Sequence, residues 1–388
     1  MKISLKPILP LLAAAVSLFS CDKLGDAIDD DNSTSAFVYM VADNDLDYYG
    51  VANIIEMQEG MPEGINGKLI VYLDRAKNGN PAHPCLYEIR HDTAGNITSK
   101  IIRVYPETNS CSAECFQNAL RDAEMYCENS GTRITHLVFW SHGTGWVSPK
   151  NRVSRSRSFG FDQSEDEAGD ELDIITLSQV LGNRHYDYIV MDACFMGGVE
   201  TAYQLRKNAD FLILSPSEIL SKGFPYKEIT RFLVEKQNNA ERLCTAFYHY
   251  YAAKQNAFRS ATITLVETRC LEKLAVAMSH FYKSISLSFP DDSLLNEIPQ
   301  YDRTYSNVYF DFVGFVKNCC SDSTLKSEIL SSYYLAVKRY FRTEKMFSSL
   351  DLTKTHGLSI YIPNDSNKKD AVYEYYKELD WFRSVADN

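Results

Sequence analysis

Two short stretches carry residue types at a spacing that would suit covalent catalysis. In YDYIVMDACFMGGVE, at 186–200, an apolar run stops at Asp192, Ala193 and Cys194, and two glycines follow. In HLVFWSHGTGW, at 136–146, a second apolar run stops at Ser141, His142 and Gly143. The thiolate is the reactive form of cysteine, and an ordinary thiol with a pKa of about 8.5 needs a neighbouring base or positive charge to react near neutral pH. His142 supplies either. The N–H of Gly143, with no side chain in front of it, can approach a substrate carbonyl oxygen, and with the N–H of Cys194 it would form an oxyanion hole. Taken singly, such a cysteine is more often a packed thiol and such a histidine a strand-end residue satisfied by a backbone carbonyl. Taken as a pair, both stand where an apolar strand ends and both are followed by glycine.

These residues need a scaffold. Tyr188 to Met191 shows no period-2 alternation, so both faces of its strand are covered, as in the centre of a parallel sheet. In open α/β sheets, ligands bind beyond the carboxyl ends of such strands. Two adjacent parallel strands would therefore set His142 beside Cys194. Upstream, 36–42 (AFVYMVA) reads as a strand, Asp43-Asn44-Asp45 as helix-capping material, and the residues to about Met57 as a helix. Residues 68–74 form the next strand, reached by a right-handed crossover. Residues 78–112 read as a turn-rich edge excursion, with a strand-like CLYEIR and a hairpin around Gly95-Asn96. A helix at about 112–127 leads into the His142 strand, and 147–173 reads as a long loop. After Cys194 a helix at about 198–207 precedes a strand at 210–215. Beyond Asn238 the pattern is mostly helical, with helices expected at 239–254, 270–286, 307–318, 324–343 and 369–385. Two strands, 261–267 and 356–363, are apolar enough to join the main sheet or pair beside it.

The chain is 45% hydrophobic and 12% aromatic with a formal net charge of -11. An acidic surface without a basic stripe excludes nucleic acid as a partner. The length after residue 35 exceeds one ordinary core, so the reading is a main domain at 36–268 with a C-terminal subdomain at 269–388 packed on it. Residues 1–20 carry Lys2 and Lys6 and then an apolar run, the pattern of an export signal. Leu18-Phe19-Ser20-Cys21 resembles the bacterial lipoprotein signal, which implies cleavage before Cys21 and its acylation. Residues 21–35 are an acidic tether, whose Asp29, Asp30 and Asp31 lack the glycine-bounded loop of a calcium site. The expected location is the cell envelope, at the outer membrane or cell surface rather than the inner membrane, with the lipid at Cys21 as the membrane contact. The remaining cysteines include a cluster at Cys85, Cys111, Cys115 and Cys127. Without CxxC or HxxxH spacing these read as buried thiols or disulfides rather than a zinc site. Cys319-Cys320 is expected within a helix. No metal or other cofactor is expected, and a monomer is favoured.

A histidine roughly fifty residues upstream of an alanine-cysteine pair is the caspase arrangement. The set VYMVADNDLDYYGVANIIEM, FWSHGTGW, DACFMGGVETAYQLR, SEILSKGFPY and GLSIYIP more closely resembles the clostripain family of cysteine peptidases, across nearly all of 36–388. The resemblance implies an α/β fold, a caspase-like αβα sandwich with a mostly parallel central sheet, here joined by a mainly helical C-terminal part. It implies a His/Cys dyad, a covalent acyl-enzyme, and cleavage of protein or peptide substrates after arginine or lysine. His142 carries over as general acid/base, Cys194 as nucleophile and Asp192 as an acid of the S1 pocket. Glu218 is the candidate second pocket acid. Where the family has a proline-glycine turn and a tryptophan, this chain has Ile219 to Tyr226, and Lys222 stands at the expected rim, opposing a basic P1 residue unless it points elsewhere. Calcium enters only through the resemblance. So does self-cleavage between the histidine and the cysteine, for which the loop offers Lys150, Arg152, Arg155 and Arg157. Arg157 and then Arg155 are the expected sites, because Phe159-Gly160-Phe161 resumes ordered structure. The alternative is a catalytically silent surface lipoprotein that keeps the fold for binding; an intact His142, Gly143 and Cys194 favour the enzyme.

Overall fold

The apolar segments expected as strands, apart from 356–363, assemble into one nine-stranded mixed sheet. The computed structural model describes residues 34–76, 83–147, 159–160, 162, 172–236, 239–285, 292–303, 308–363 and 370–386. The export signal, Cys21, nearly all of the tether, and Arg155 and Arg157 lie outside the described residues. The first half of the chain contains β1 (Ser35–Ala42), α1 (Asp47–Gly60), β2 (Leu69–Arg75), β3 (Cys85–Glu88), β4 (Lys100–Val104), α2 (Ala113–Glu128), β5 (Ile134–Trp140), α3 (Ile174–Leu181) and β6 (Tyr186–Asp192). There follow α4 (Val199–Gln204), β7 (Ala209–Leu214), α5 (Tyr226–Val234), α6 (Ala240–Ala252), β8 (Thr262–Glu267), α7 (Leu271–Ser284) and α8 (Asp292–Leu295). The last part holds β9 (Phe310–Asp311), α9 (Phe312–Cys319), α10 (Ser323–Ala336), β10 (Val337–Arg342), β11 (Lys345–Met346), β12 (Leu350–Asp351), β13 (Ser359–Ile360), α11 (Ala371–Tyr376) and α12 (Asp380–Ala386).

The strand order is β10-β8-β7-β6-β5-β1-β2-β3-β4. Its centre, β7 to β2, is parallel, and the outer strands on both sides are antiparallel. Every residue of β1 is buried, the outcome expected of a strand without alternation that helices cover on both faces. One face packs against α2, α3 and α7 through Phe116, Leu177 and Phe281. The other packs against α1, α5 and α6 through Met57, Leu233 and Phe247. The chain leaves β1 toward β2 and later returns on the opposite side to form β5, so a topological switch point lies between β1 and β5, where α/β sheets bind ligands.

Several boundaries differ from the sequence reading. Strand β1 takes in Ser35, assigned above to the tether, because Ser35 already pairs with Ile134. The helix expected at 324–343 ends at Ala336, and the rest runs as β10 along β8, where the outer edge of β8 offers backbone partners that a helix would leave unmet. The helix expected at 307–318 starts only at Phe312, after the two-residue strand β9, and the Asp311 carboxylate caps it by accepting the Gly314 N–H at 2.7 Å. Of 356–363 only Ser359–Ile360 is strand; it pairs with β9 and touches the main body through a bridge to Gly198. Residues 369–385 form two short helices instead of one. Cys319 closes α9 and Cys320 follows it in extended backbone, so only the first of that pair is helical. The nine described cysteines are all free thiols.

Candidate active site

Strands β5 and β6 are parallel neighbours with Trp140 opposite Asp192. Carrying that register two residues past each strand places His142 beside Cys194. Ser141 N–H donates to the Asp192 carbonyl at 3.4 Å, extending the pairing beyond the last strand residue. The turn after Asp192 is tightly constrained. Phe195 has φ of 59°, a left-handed conformation uncommon for a bulky residue. Its N–H donates to the Ser217 carbonyl at 2.9 Å, and the Gly197 N–H to the Ser215 carbonyl at 2.7 Å. Its ring stacks on Tyr309 at 4.5 Å, and the Tyr309 hydroxyl donates to the Thr144 carbonyl at 2.7 Å. A C-terminal side chain thus ties the cysteine turn to the histidine loop.

The glycines of HGTG allow that loop to lie against the cysteine turn. A Cβ on Gly143 would stand 2.8 Å from the Cys194 carbonyl oxygen, and one on Gly145 2.6 Å from that of Phe195. Any side chain would force the two backbones apart. Phe159 is buried and forms an antiparallel bridge to Gly143, and the Gly160 N–H donates to the His142 carbonyl at 3.0 Å; Phe161 lies outside the described residues.

His142 is one-third exposed, and its Nε2 lies 2.7 Å from Asp45 Oδ1. Asp45 stands beyond the carboxyl end of β1, across the switch point. The sequence reading assigned Asp43-Asn44-Asp45 to helix capping, but no side chain caps α1, whose N-cap residue is Leu46; Asn44 Oδ1 accepts the Leu46 N–H at 2.8 Å in the turn before the helix. The position of Asp45 just past an apolar strand was the signal available for a site role. The Cys194 thiol donates to the Ile219 carbonyl at 3.5 Å and accepts the Ile219 N–H at 3.2 Å. Burial first, then the nearby Glu218 and Asp192 charges, push this thiol up to about 12. It is therefore an un-ionised thiol held on the 217–223 segment.

His142, Asp192, Cys194 and Lys222 line one pocket of about 670 Å³, with Tyr49 and Phe258 among its aromatic walls. Asp192 is 4% exposed, and its Oδ2 accepts the Phe224 N–H at 3.0 Å and the Tyr226 hydroxyl at 2.9 Å. Its Oδ1 has no hydrogen-bond partner among the described residues. Burial raises the carboxyl to about 7, while those two donors and the Lys222 charge hold it down. Gly223 has φ of +68°, and a Cβ there would come 2.6 Å from Asp192 Oδ2. A glycine is required for the loop to cross the carboxylate so closely. Glu218 also lines the pocket, but both its oxygens are held by Arg303 at 2.7 Å. Glu218 is therefore neutralised by a bidentate partner, unlike Asp192. Lys222, expected to oppose a basic ligand, pairs with Glu56 of α1. Among the described residues no group of three or more His, Cys, Asp or Glu side chains could hold a metal ion.

A sheet of this order, helices on both faces and a site beyond the strand carboxyl ends define the caspase-like αβα class. A family model described as the clostripain family matches residues 38–387, and the chain belongs to that family. Clostripain from Hathewaya histolytica is 25% identical over 215 residues, which cover 49% of this chain and 40% of clostripain. The chain thus spans less than half the length of that relative. A secreted clostripain-family cysteine protease from Bacteroides thetaiotaomicron, solved with an irreversible peptide inhibitor, has a TM-score of 0.77 and 26% identity, covering 91% of this chain and 99% of its own. An inactive zymogen of the family from Parabacteroides distasonis has a TM-score of 0.73 and 26% identity, covering 91% and 97%.

Proposed function

We propose that the protein is an exported cysteine endopeptidase that cleaves after arginine or lysine, using Cys194 as nucleophile and His142 as general acid/base. The observation that carries this is the register of β5 against β6, which supports a pairing of His142 with Cys194 in a pocket that Asp192 also lines. A P1 guanidinium or ammonium would pair with that carboxylate and bring the scissile carbonyl over Cys194. The thiol proton passes to the imidazole nitrogen not engaged by Asp45. The sulfur then adds to the carbonyl carbon, with the Gly143 and Cys194 N–H groups facing the oxyanion. His142 returns the proton to the leaving amine as the C–N bond breaks. Water, deprotonated by His142, hydrolyses the thioester and frees the thiol. The experiment is turnover of peptides that differ only at P1, where faster cleavage after an apolar or acidic residue than after arginine would overturn the assignment.

Asp45 is the positioning residue of this dyad. Replacing it with alanine should lower kcat about ten-fold with KM unchanged, because the imidazole loses its orienting partner while the pocket is untouched. Asp45→Glu should recover part of the loss. The pair is largely exposed, so the melting temperature should hold; a fall in Tm with no change in kcat would make the contact merely structural.

Export and the lipid anchor at Cys21 belong to the same proposal. They are supported by the basic and apolar start and by the Leu-x-Ser-Cys sequence, and a palmitate label incorporated by wild type but not by Cys21→Ser tests the anchor. Self-cleavage after Arg157, or else Arg155, is supported by the return of the chain at Phe159 beside Gly143. The un-ionised Cys194 thiol, held on the Ile219 backbone, fits a latent form. Wild type should run as two pieces on a denaturing gel, one with His142 and one with Cys194, and Cys194→Ala as one. Identical cutting of Cys194→Ala in a protease-free preparation would show that another enzyme makes the cut.

A further inference from the structure

The segment after β7 brings a cation, Lys222, to the wall of the pocket that holds the Asp192 carboxylate. An ammonium beside that carboxylate is a built-in competitor for the place of a basic P1 residue. The backbone carrying Lys222 is fixed from two sides. Its carbonyl accepts Asn53 Nδ2 at 3.1 Å, and Asn53 Oδ1 in turn accepts the Trp140 indole N–H at 2.9 Å. The next carbonyl, of Gly223, accepts the Tyr251 hydroxyl at 2.6 Å. The loop therefore cannot carry Lys222 away. What remains free is where its side chain points, and Glu56 settles that by pairing with Nζ through Oε1.

Glu56 lies three residues after Asn53, on the same face of α1. The helix is pressed against the loop's continuation, since a Cβ on Gly60 would meet the Lys227 carbonyl oxygen at 2.4 Å. The second oxygen of Glu56, Oε2, is shut off from solvent with no hydrogen-bond partner among the described residues. One side of one helix thus pins the loop backbone with an amide and draws its cation aside with a carboxylate.

We propose that Glu56 sets P1 selectivity by holding Lys222 off Asp192. Around Lys222 the charges are two carboxylates, Asp192 and Glu56, against one ammonium; Glu218 is paired with Arg303, and Lys254, which also lines the pocket, lies over the Tyr250 ring, so one negative charge at Asp192 stays unbalanced. A P1 arginine or lysine balances it. Without Glu56, Lys222 and Asp192 balance each other and a cationic ligand gains nothing. The inference rests on the reading of Asp192 as the P1 acid.

The test measures kcat/KM on two peptides identical except for arginine or norleucine at P1. The proteins are the processed wild type, Glu56→Gln, Lys222→Met and the double variant. The arginine-to-norleucine ratio should fall about ten-fold in Glu56→Gln, through KM on the arginine peptide, with norleucine turnover unchanged as the control for an intact fold. Lys222→Met should give the highest ratio, because both carboxylates are then unopposed. The double variant should return to near the wild-type ratio, because no cation is left to sequester. Should Glu56→Gln fail to fold, Lys222→Met alone decides the matter: a ratio below wild type overturns the inference. It is also overturned by an unchanged ratio in Glu56→Gln, or by a double variant as poor as Glu56→Gln. A wild type with no preference for arginine would instead remove the Asp192 reading beneath it.

Discussion

Cys194→Ala and His142→Ala are each expected to reduce peptide hydrolysis by about four orders of magnitude or more, the scale on which removal of a nucleophile or its base acts in covalent catalysis. Neither side chain belongs to the packed core. Cys194 is partly exposed at the pocket, and His142 is one-third exposed. Folding should therefore be unaffected, and circular dichroism and melting temperature should match wild type. The two losses should not add in the double variant, because the residues act on one proton and one bond. Burst titration with a thiol-directed peptide inhibitor provides the second readout: labelling should vanish in Cys194→Ala and slow greatly in His142→Ala. Retention of more than a few per cent of wild-type activity by either variant would remove the dyad, and would favour a binding protein that has kept the fold.

The second large effect is expected at Asp192. Asp192→Asn should lower kcat/KM for a P1 arginine substrate about a hundred-fold or more, because a guanidinium would enter a buried site without its counter-charge. Turnover of a P1 norleucine substrate should change little. Burial raises this carboxyl to about 7, so in wild type the arginine substrate should gain rate as pH rises through about 7, where the carboxylate forms. The norleucine substrate should lack that step. The sign for stability is the reverse. The native state keeps the proton that the unfolded chain releases near 3.9, so ionising Asp192 costs stability as pH rises from there to about 7. The asparagine variant should consequently be no less stable than wild type at pH 8. An unchanged arginine preference in Asp192→Asn would place the P1 acid elsewhere.

The pairing of Glu218 with Arg303 means that the second acid at the pocket, unlike Asp192, already has a counter-charge. Glu218 is near the nucleophile in space and lines the same cavity, yet its partner arrives from a segment far along the chain. Lys222 is the opposite case. In sequence it stands at the rim as an obstacle, and in the structure its charge is taken up by α1.

Much of the scaffold was legible in the chain itself, because strands covered on both faces leave unbroken apolar runs and parallel strands deliver their residues to one end. That was enough to expect His142 beside Cys194, whereas a pocket role for Asp192 came only through the family resemblance. Gly143 was read only as an N–H open to a substrate carbonyl; that Gly143 and Gly145 abut the Cys194–Phe195 turn is decided by the packing of the two loops. Local pattern failed where a segment's state depends on a distant partner. Residues 337–342 carry helix-compatible composition and become strand because β8 presents an open edge, and 359–360 become strand only against β9. The same limit applies to charge. Whether Asp45 caps a helix or orients a histidine, and whether Glu218 or Glu56 serves the pocket, depends on which opposite group the fold brings within hydrogen-bond reach. Backbone periodicity is written residue by residue along the chain, whereas the pairing of side chains is decided only when elements from different parts of it are packed against one another.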